Sequence, residues 1–176
     1  MIRTNSDRSR FDTEGHAASA AIRPASFPED ADTVRALFVE YAASLGVDLA
    51  FQDFQAELAA LPGKYAAPDG AILLAWQGDR ALACVAMRRS TATSAEMKRL
   101  YVRPAGRGHQ LGRKLASAIC TLAAQAGYAS IRLDTLPDMH AAQQMYASLG
   151  FKPIDAYVYN PIAGTQFLER DLRTMG

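Results

Sequence analysis

Cysteine is nearly absent from this chain. Of its 176 residues only Cys84 and Cys120 are cysteines, each inside an apolar run, "ALACVAM" and "SAICTLA". A disulfide-stapled secreted domain needs more cysteines than this, so the two are expected as reduced, buried thiols of a cytoplasmic protein. Neither has a base beside it in sequence, which argues against a nucleophilic thiol. Histidine is also scarce, with three residues, and no Cys/His/Asp spacing fits a metal site. Apolar runs fall short of the roughly 18 residues that span a bilayer, and the N-terminus has no hydrophobic stretch of the kind that directs secretion. An excess of one charge is missing as well. With 19 Lys and Arg against 18 Asp and Glu the net charge is +1, so no bulk attraction to nucleic acid or membrane is expected. What remains is 49% hydrophobic and 21% charged, the composition of a folded domain. A chain of this length buries roughly 70% of its unfolded surface, enough for one self-sufficient core.

Residues 1–19 show no apolar periodicity and are expected as a flexible tail, leaving 20–176 for the folded domain. The segment "PEDADTVRALFVEYAASLG" places Val34, Leu37, Phe38, Tyr41 and Leu45 on one helical face behind an acidic first turn. "FQDFQAELAAL" repeats the period with Phe51, Phe54, Leu58 and Leu61 before Pro62 and Gly63 stop it. "AILLAWQ" and "RALACVAMR", joined at Gly78-Asp79, predict a buried hairpin. In the next strand, "AEMKRLYV", apolar residues do not alternate cleanly, which predicts a bulge or backbone used by a ligand. A helix follows over "QLGRKLASAICTLAAQAG", then a strand "SIRLDTL", a short helix "AAQQMYASLG", and two strands around "KPIDAYVYN" and "TQFLERDL". Local strand pairing followed by strand and helix alternation predicts an α/β (α+β) fold, a mixed sheet with helices on both faces.

Charge does gather in one place. Between Lys98 and Lys114 there are six Lys or Arg residues, with Glu96 the one acid close by. The cluster lies at a strand-to-helix turn containing Gly106, Gly108 and Gly112. Backbone N–H groups can approach a ligand there, and the positive end of the helix adds to the attraction, so the expected guest is a phosphate group. Arg107, Gly108 and Gly112 would form the turn, with Arg113 and Lys114 reaching further phosphates. A solvated loop capping a helix is the other reading. The Lys-Ser/Thr ending of a P-loop and the three-glycine spacing of a dinucleotide fold are both absent.

The stretch "LYVRPAGRGHQLGRKL" resembles the acyl-coenzyme A motif of the GNAT superfamily of N-acetyltransferases, Arg/Gln-x-x-Gly-x-Gly/Ala after a strand ending in V-x-P. Arg107, Gln110 and Gly112 take the motif positions, so Gln110 replaces the first glycine; ordinary helical angles are expected there, still leaving its N–H free to donate. Downstream, "AAQQMYASLGFKPI" resembles the family's A-x-x-x-Y-x-x-x-G-F segment. The resemblance spans about residues 20–172. It implies a mostly antiparallel sheet of six to seven strands in which strands 95–102 and 130–136 splay apart. Backbone groups of Leu100, Tyr101 and Val102 would hold the pantetheine arm and thioester carbonyl of acetyl-coenzyme A. The turn, with Arg107, Gly108, His109, Gln110, Leu111, Gly112, Arg113 and Lys114, would take the pyrophosphate. Met139 stands where the family often has an asparagine that contacts the coenzyme, so that contact is not carried over. His140, beside it, reads as a surface residue.

The same resemblance implies direct attack of a primary amine on acetyl-coenzyme A in a ternary complex, with no metal. An alkyl ammonium with a pKa near 10.4 must lose a proton first, and Glu96 is the expected base, the alternative being a solvent-facing glutamate paired with a cation. Tyr146 is expected to protonate the departing thiolate, the alternative being core packing. Tyr41, Asp48, Phe51 and Tyr65, opposite "YVYNP", are expected to wall the acceptor, suiting a small cation or a peptide amino terminus. Members of the superfamily are often dimers, so a homodimer is expected. Two other functions stay open: a non-catalytic acyl-coenzyme A sensor, suggested by Gln110 and Met139, and nucleic-acid binding through the basic cluster. Near-zero net charge and the lack of interleaved aromatics speak against the last.

Overall fold

A computed structural model describes residues 19–174; the tail expected over 1–19 lies, apart from Ser19, outside the described residues. In chain order the elements are β1 (Ala21–Pro24), α1 (Ala31–Leu45), α2 (Phe54–Ala60), β2 (Ala71–Gln77), β3 (Arg80–Arg89) and β4 (Ser94–Val102). Then follow α3 (Leu111–Gln125), β5 (Ser130–Thr135), α4 (His140–Ser148), β6 (Lys152–Ile154) and β7 (Gln166–Asp171). The strands form one sheet in the order β1-β2-β3-β4-β5-β7-β6, and β4 with β5 is its parallel pair. All other pairings are antiparallel, so the expected mixed sheet with helices on both faces is what forms.

Helix layers explain why the central strands read as continuous apolar runs. Both faces of β2 and β3 are covered, and their residues are buried without alternation. On one face α3 lays Leu111, Leu115, Ile119 and Ala123 against Leu73, Val85, Met97 and Ile131. On the other, α1 and α2 bring Val34, Leu37, Phe38, Phe54 and Leu58 against Ile72, Leu74, Cys84 and Ala86. Cys84 and Cys120 are free and fully buried, and burial pushes the Cys84 thiol up to about 12.

Three local features differ from, or sharpen, what the sequence predicts. The helix expected over residues 51–61 is interrupted: a short 3₁₀ turn covers Ala50–Gln52, Asp53 adopts a left-handed φ of 55°, and α2 begins only at Phe54. Aspartate tolerates this conformation better than most residues, and the kink lets Phe54 reach the core. The irregular alternation in β4 is a bulge. Cys84 pairs with Tyr101 and Ala86 with Lys98, so Arg99 and Leu100 together face Val85 alone, and Arg99 takes a φ of 59°. Finally, β4 and β5 pair only at Ser94/Ser130, Ala95/Ile131 and Glu96/Arg132. Beyond that point β5 stays in register with β7 as far as Thr135, while β4 continues to Val102 without a partner on that edge. The two strands therefore part just where the bulge bends β4.

Candidate active site

Each glycine of the turn between β4 and α3 has its own physical reason. A Cβ on Gly106 would lie 3.1–3.2 Å from Leu111, Leu82 and Val102, so a side chain there would have to push these three neighbours aside. Gly108 has a φ of +83°, which glycine adopts without strain. Gly112 is different: a Cβ there would meet only ordinary contacts, 3.7 Å from Val102 and 3.8 Å from Met145. Nothing within the protein demands glycine at 112, and the residue lines an open trough. Lys114 N donates to Gln110 O at 3.0 Å to start the α3 ladder, so the N–H groups of Leu111, Gly112 and Arg113 emerge from the helix end. Gln110 overturns an expectation. Its φ of 55° and ψ of 25° are left-handed, the conformation for which the glycine it replaces is suited.

The basic cluster divides in two. Arg103 pairs with Glu40 at 2.7 Å and Arg99 with Glu57, while Lys98 lies 3.8 Å from Glu96, all on the α1/α2 side. Arg107, Arg113 and Lys114, with His109, stay exposed at the turn. Arg113 donates to Ser148 Oγ on α4, and Arg107 lines the trough with Gly112. The acids that pair with Arg99 and Arg103 come from α2 and α1, distant in sequence, which is why the patch looks more concentrated in sequence than in space.

That open trough, of about 480 Å³, runs past Val102, Tyr101 and Leu100. It abuts a second, narrow cavity of about 40 Å³ in the gap between β4 and β5, and the two share Tyr41, Leu45, Leu100 and Met139 as lining. The inner cavity takes Met97, Lys98 and Arg99 from β4 and Leu133, Asp134 and Thr135 from β5. Thr135 is 4% exposed and its Oγ1 has no hydrogen-bond partner, an unusual state for a buried hydroxyl beside a cavity. Tyr146, from α4, also lines it, packed edge-on against Phe151 at 5.5 Å. Burial raises the Tyr146 hydroxyl above its ordinary value, so it keeps its proton at neutral pH.

Glu96 is 2% exposed, which does not fit the solvent-facing alternative. Its carboxylate accepts from Arg88 Nε at 2.8 Å and from the Tyr157 hydroxyl at 3.1 Å. It stands behind Lys98, at the last β4–β5 pair before the strands part. Arg99, 3% exposed, donates to both oxygens of Glu57 and to Gln52 Oε1, with its guanidinium over the Phe54 ring at 5.0 Å. Burial alone would raise the Glu57 carboxyl, but Arg99 outweighs it and holds the group below its usual range. Lys98 Nζ donates to Gln52 Oε1 at 3.1 Å, and burial pushes its ammonium below the usual lysine value against the opposing pull of Glu96 and Asp134.

Of the expected acceptor wall, Tyr41 and Phe51 line the inner cavity. Tyr65 does not: it is buried, donates to Glu57, and borders a separate cavity with Arg88 and Lys64. Nor does Asp48, whose carboxylate accepts the Ala50 N–H at 2.8 Å in a local turn leading into the 3₁₀ segment. Four polar residues of the cavity carry no motif: Gln52, Asp134, Thr135 and Asn160, the last donating to Asp134 at 2.9 Å. Of the expected "YVYNP" segment, Asn160 is the residue that lines this cavity.

The family described as Acetyltransferase (GNAT) family matches residues 33–151. A Schizosaccharomyces pombe protein named as an uncharacterized N-acetyltransferase is 37% identical over 157 residues, spanning 88% of this chain and 96% of its own. A GNAT-family acetyltransferase from Staphylococcus aureus superposes with a TM-score of 0.73 at 18% identity, covering 88% of this chain and 99% of that one. The PaiA N-acetyltransferase of Thermoplasma acidophilum, solved with coenzyme A, superposes with a TM-score of 0.67 at 18% identity over 87% and 99% of the two chains.

Proposed function

This chain belongs to the GNAT family of acetyltransferases, and from that membership we propose that it transfers the acetyl group of acetyl-coenzyme A to a primary amine by direct attack in a ternary complex. One observation carries the reading: β4 and β5 separate after Glu96, opening a trough from the α3 turn to Tyr146, with the unpartnered Thr135 hydroxyl along it. A diphosphate would sit at the N–H groups of Leu111, Gly112 and Arg113, drawn by Arg107, Arg113 and Lys114, where the room above Gly112 accepts it. His109, Gly108 and Gln110 would add to the same diphosphate site. The pantetheine arm would lie along Leu100, Tyr101 and Val102, whose strand has no partner on that edge.

The thioester carbonyl then reaches the bulge. A backbone N–H aimed at the oxygen as it becomes an oxyanion is worth about 3 kcal/mol. The amine's proton would pass through water to Glu96, which lies behind Lys98 and is not among the residues lining the cavity. The amine nitrogen bonds the carbonyl carbon and sheds its second proton, which returns through water to Tyr146 after that hydroxyl has protonated sulfur; the C–S bond breaks, and the electron pair leaves on sulfur. Tyr146 supplies the proton that makes coenzyme A a neutral thiol. The test is release of free coenzyme A from acetyl-coenzyme A across a panel of amines, polyamines and peptides. Turnover supports transfer. Tight cofactor binding with no turnover on any acceptor would point to a sensor instead.

A further inference from the structure

We propose that the acceptor is a small zwitterion, an amine bearing a carboxylate a few bonds away, whose carboxylate is held by Lys98 and whose nitrogen is held by Asp134. The assignment rests on the transferase function above and specifies its substrate class. It follows from the charges of the inner cavity. Arg99 and Glu57 neutralise one another, and Glu96 takes Arg88. Among the described residues that leaves Lys98 and Asp134 as the charges facing the gap from opposite strands. Lys98 Nζ has only the Gln52 carbonyl at 3.1 Å and, at 3.8 Å, the already paired Glu96. Asp134 holds one neutral donor, Asn160 Nδ2 at 2.9 Å.

The two do not form an ion pair with each other, although each lies within the other's field. A buried ammonium with so little compensation is costly unless a ligand completes it. A simple amine would satisfy Asp134 and leave that cost in place, and its own positive charge would meet Lys98. A molecule with both charges removes both costs. Leu45, Leu49, Phe51 and Ile162 supply an apolar wall for the remainder of the acceptor.

The test compares, for free α-amino acids, β-alanine and γ-aminobutyrate, the acid with its amide and with its decarboxylated amine, reading kcat/KM for coenzyme A release. At least a tenfold preference for an acid over its own amide is expected. Lys98→Met should erase that preference by raising KM for the acid alone, Lys98→Arg should retain most of it, and Asp134→Asn should lower kcat/KM for acid and amide alike. The acid-to-amide ratio is read within one preparation, so loss of folded protein does not distort it. Equal use of acids and amides by the wild type, or an unchanged ratio in Lys98→Met, overturns the zwitterion assignment while leaving acetyl transfer intact. No release with any acceptor, despite acetyl-coenzyme A binding, overturns both.

Discussion

Gln110 sits at a φ of 55°, where an L side chain crowds its own backbone at a cost of roughly 1–2 kcal/mol. Gln110→Gly should therefore stabilise the protein by about 1 kcal/mol after glycine's greater unfolded-state freedom is subtracted. A thermal melt would read this as a rise of about 2–4 °C. No rise would mean that the glutamine side chain gains in contacts what its backbone loses. Tyr146 poses a sharper question, because its ring packs on Phe151 while the residue also lines the cavity. Tyr146→Phe keeps the packing and removes the proton donor. Since a thiol with a pKa near 8.5 already leaves tolerably as thiolate, kcat should fall by about 10- to 100-fold with cofactor affinity nearly unchanged. An unaltered kcat would reduce this tyrosine to core.

Strand β4 combines a bulge, an unpaired edge and a buried ion pair within six residues, Met97 to Val102. Arg99 and Glu57 connect this bulge to α2, and removing one partner strands the other charge out of water. Glu57→Leu should cost about 3–5 kcal/mol in chemical denaturation, and the double variant Glu57→Leu/Arg99→Met should recover most of it. Recovery is the informative result, because simple loss of packing would make the two changes additive. At the other end of the trough, the start of α3 can be tested without disturbing the core. A Cβ at position 112 has room, so Gly112→Asp should leave the melting temperature within a few degrees while weakening acetyl-coenzyme A binding at least tenfold. Unchanged affinity would count against a diphosphate at that helix end.

Three ion pairs tie the α1/α2 layer to the sheet: Arg23–Asp30, Arg103–Glu40 and Arg99–Glu57. Their carboxylates are all held below their ordinary values, Asp30 mainly by Arg23, Glu40 mainly by Arg103, and Glu57 by Arg99 against the opposing effect of burial. Their folded pKa values lie below the unfolded ones, so this stabilisation is complete above the unfolded values of 3.8 and 4.5 and is lost as pH falls through the folded ones. Melting temperature measured from pH 7 to pH 3 should hold level down to about pH 5 and then decline. A flat profile to pH 3 would show that the three pairs contribute nothing to holding that layer. Among the described residues no helix is long and apolar enough to cross a membrane.

Much of this was legible from local pattern. Apolar runs marked the covered strands β2 and β3, the spacing of Leu111, Leu115 and Ile119 marked α3, and the broken alternation of "AEMKRLYV" marked the bulge, because each depends on neighbours in the chain. Glycines and cations likewise marked the turn before α3. Backbone hand was not legible: Asp53 and Gln110 are left-handed because the elements on either side fix the path, and composition carries no sign of that. Nor was the acceptor side, since Gln52, Lys98, Asp134 and Asn160 come from four separate segments. They meet only because β4 and β5 part company after three paired residues, and that separation is settled by the register of β5 on β7 and the bend of β4 over β3, both long-range contacts.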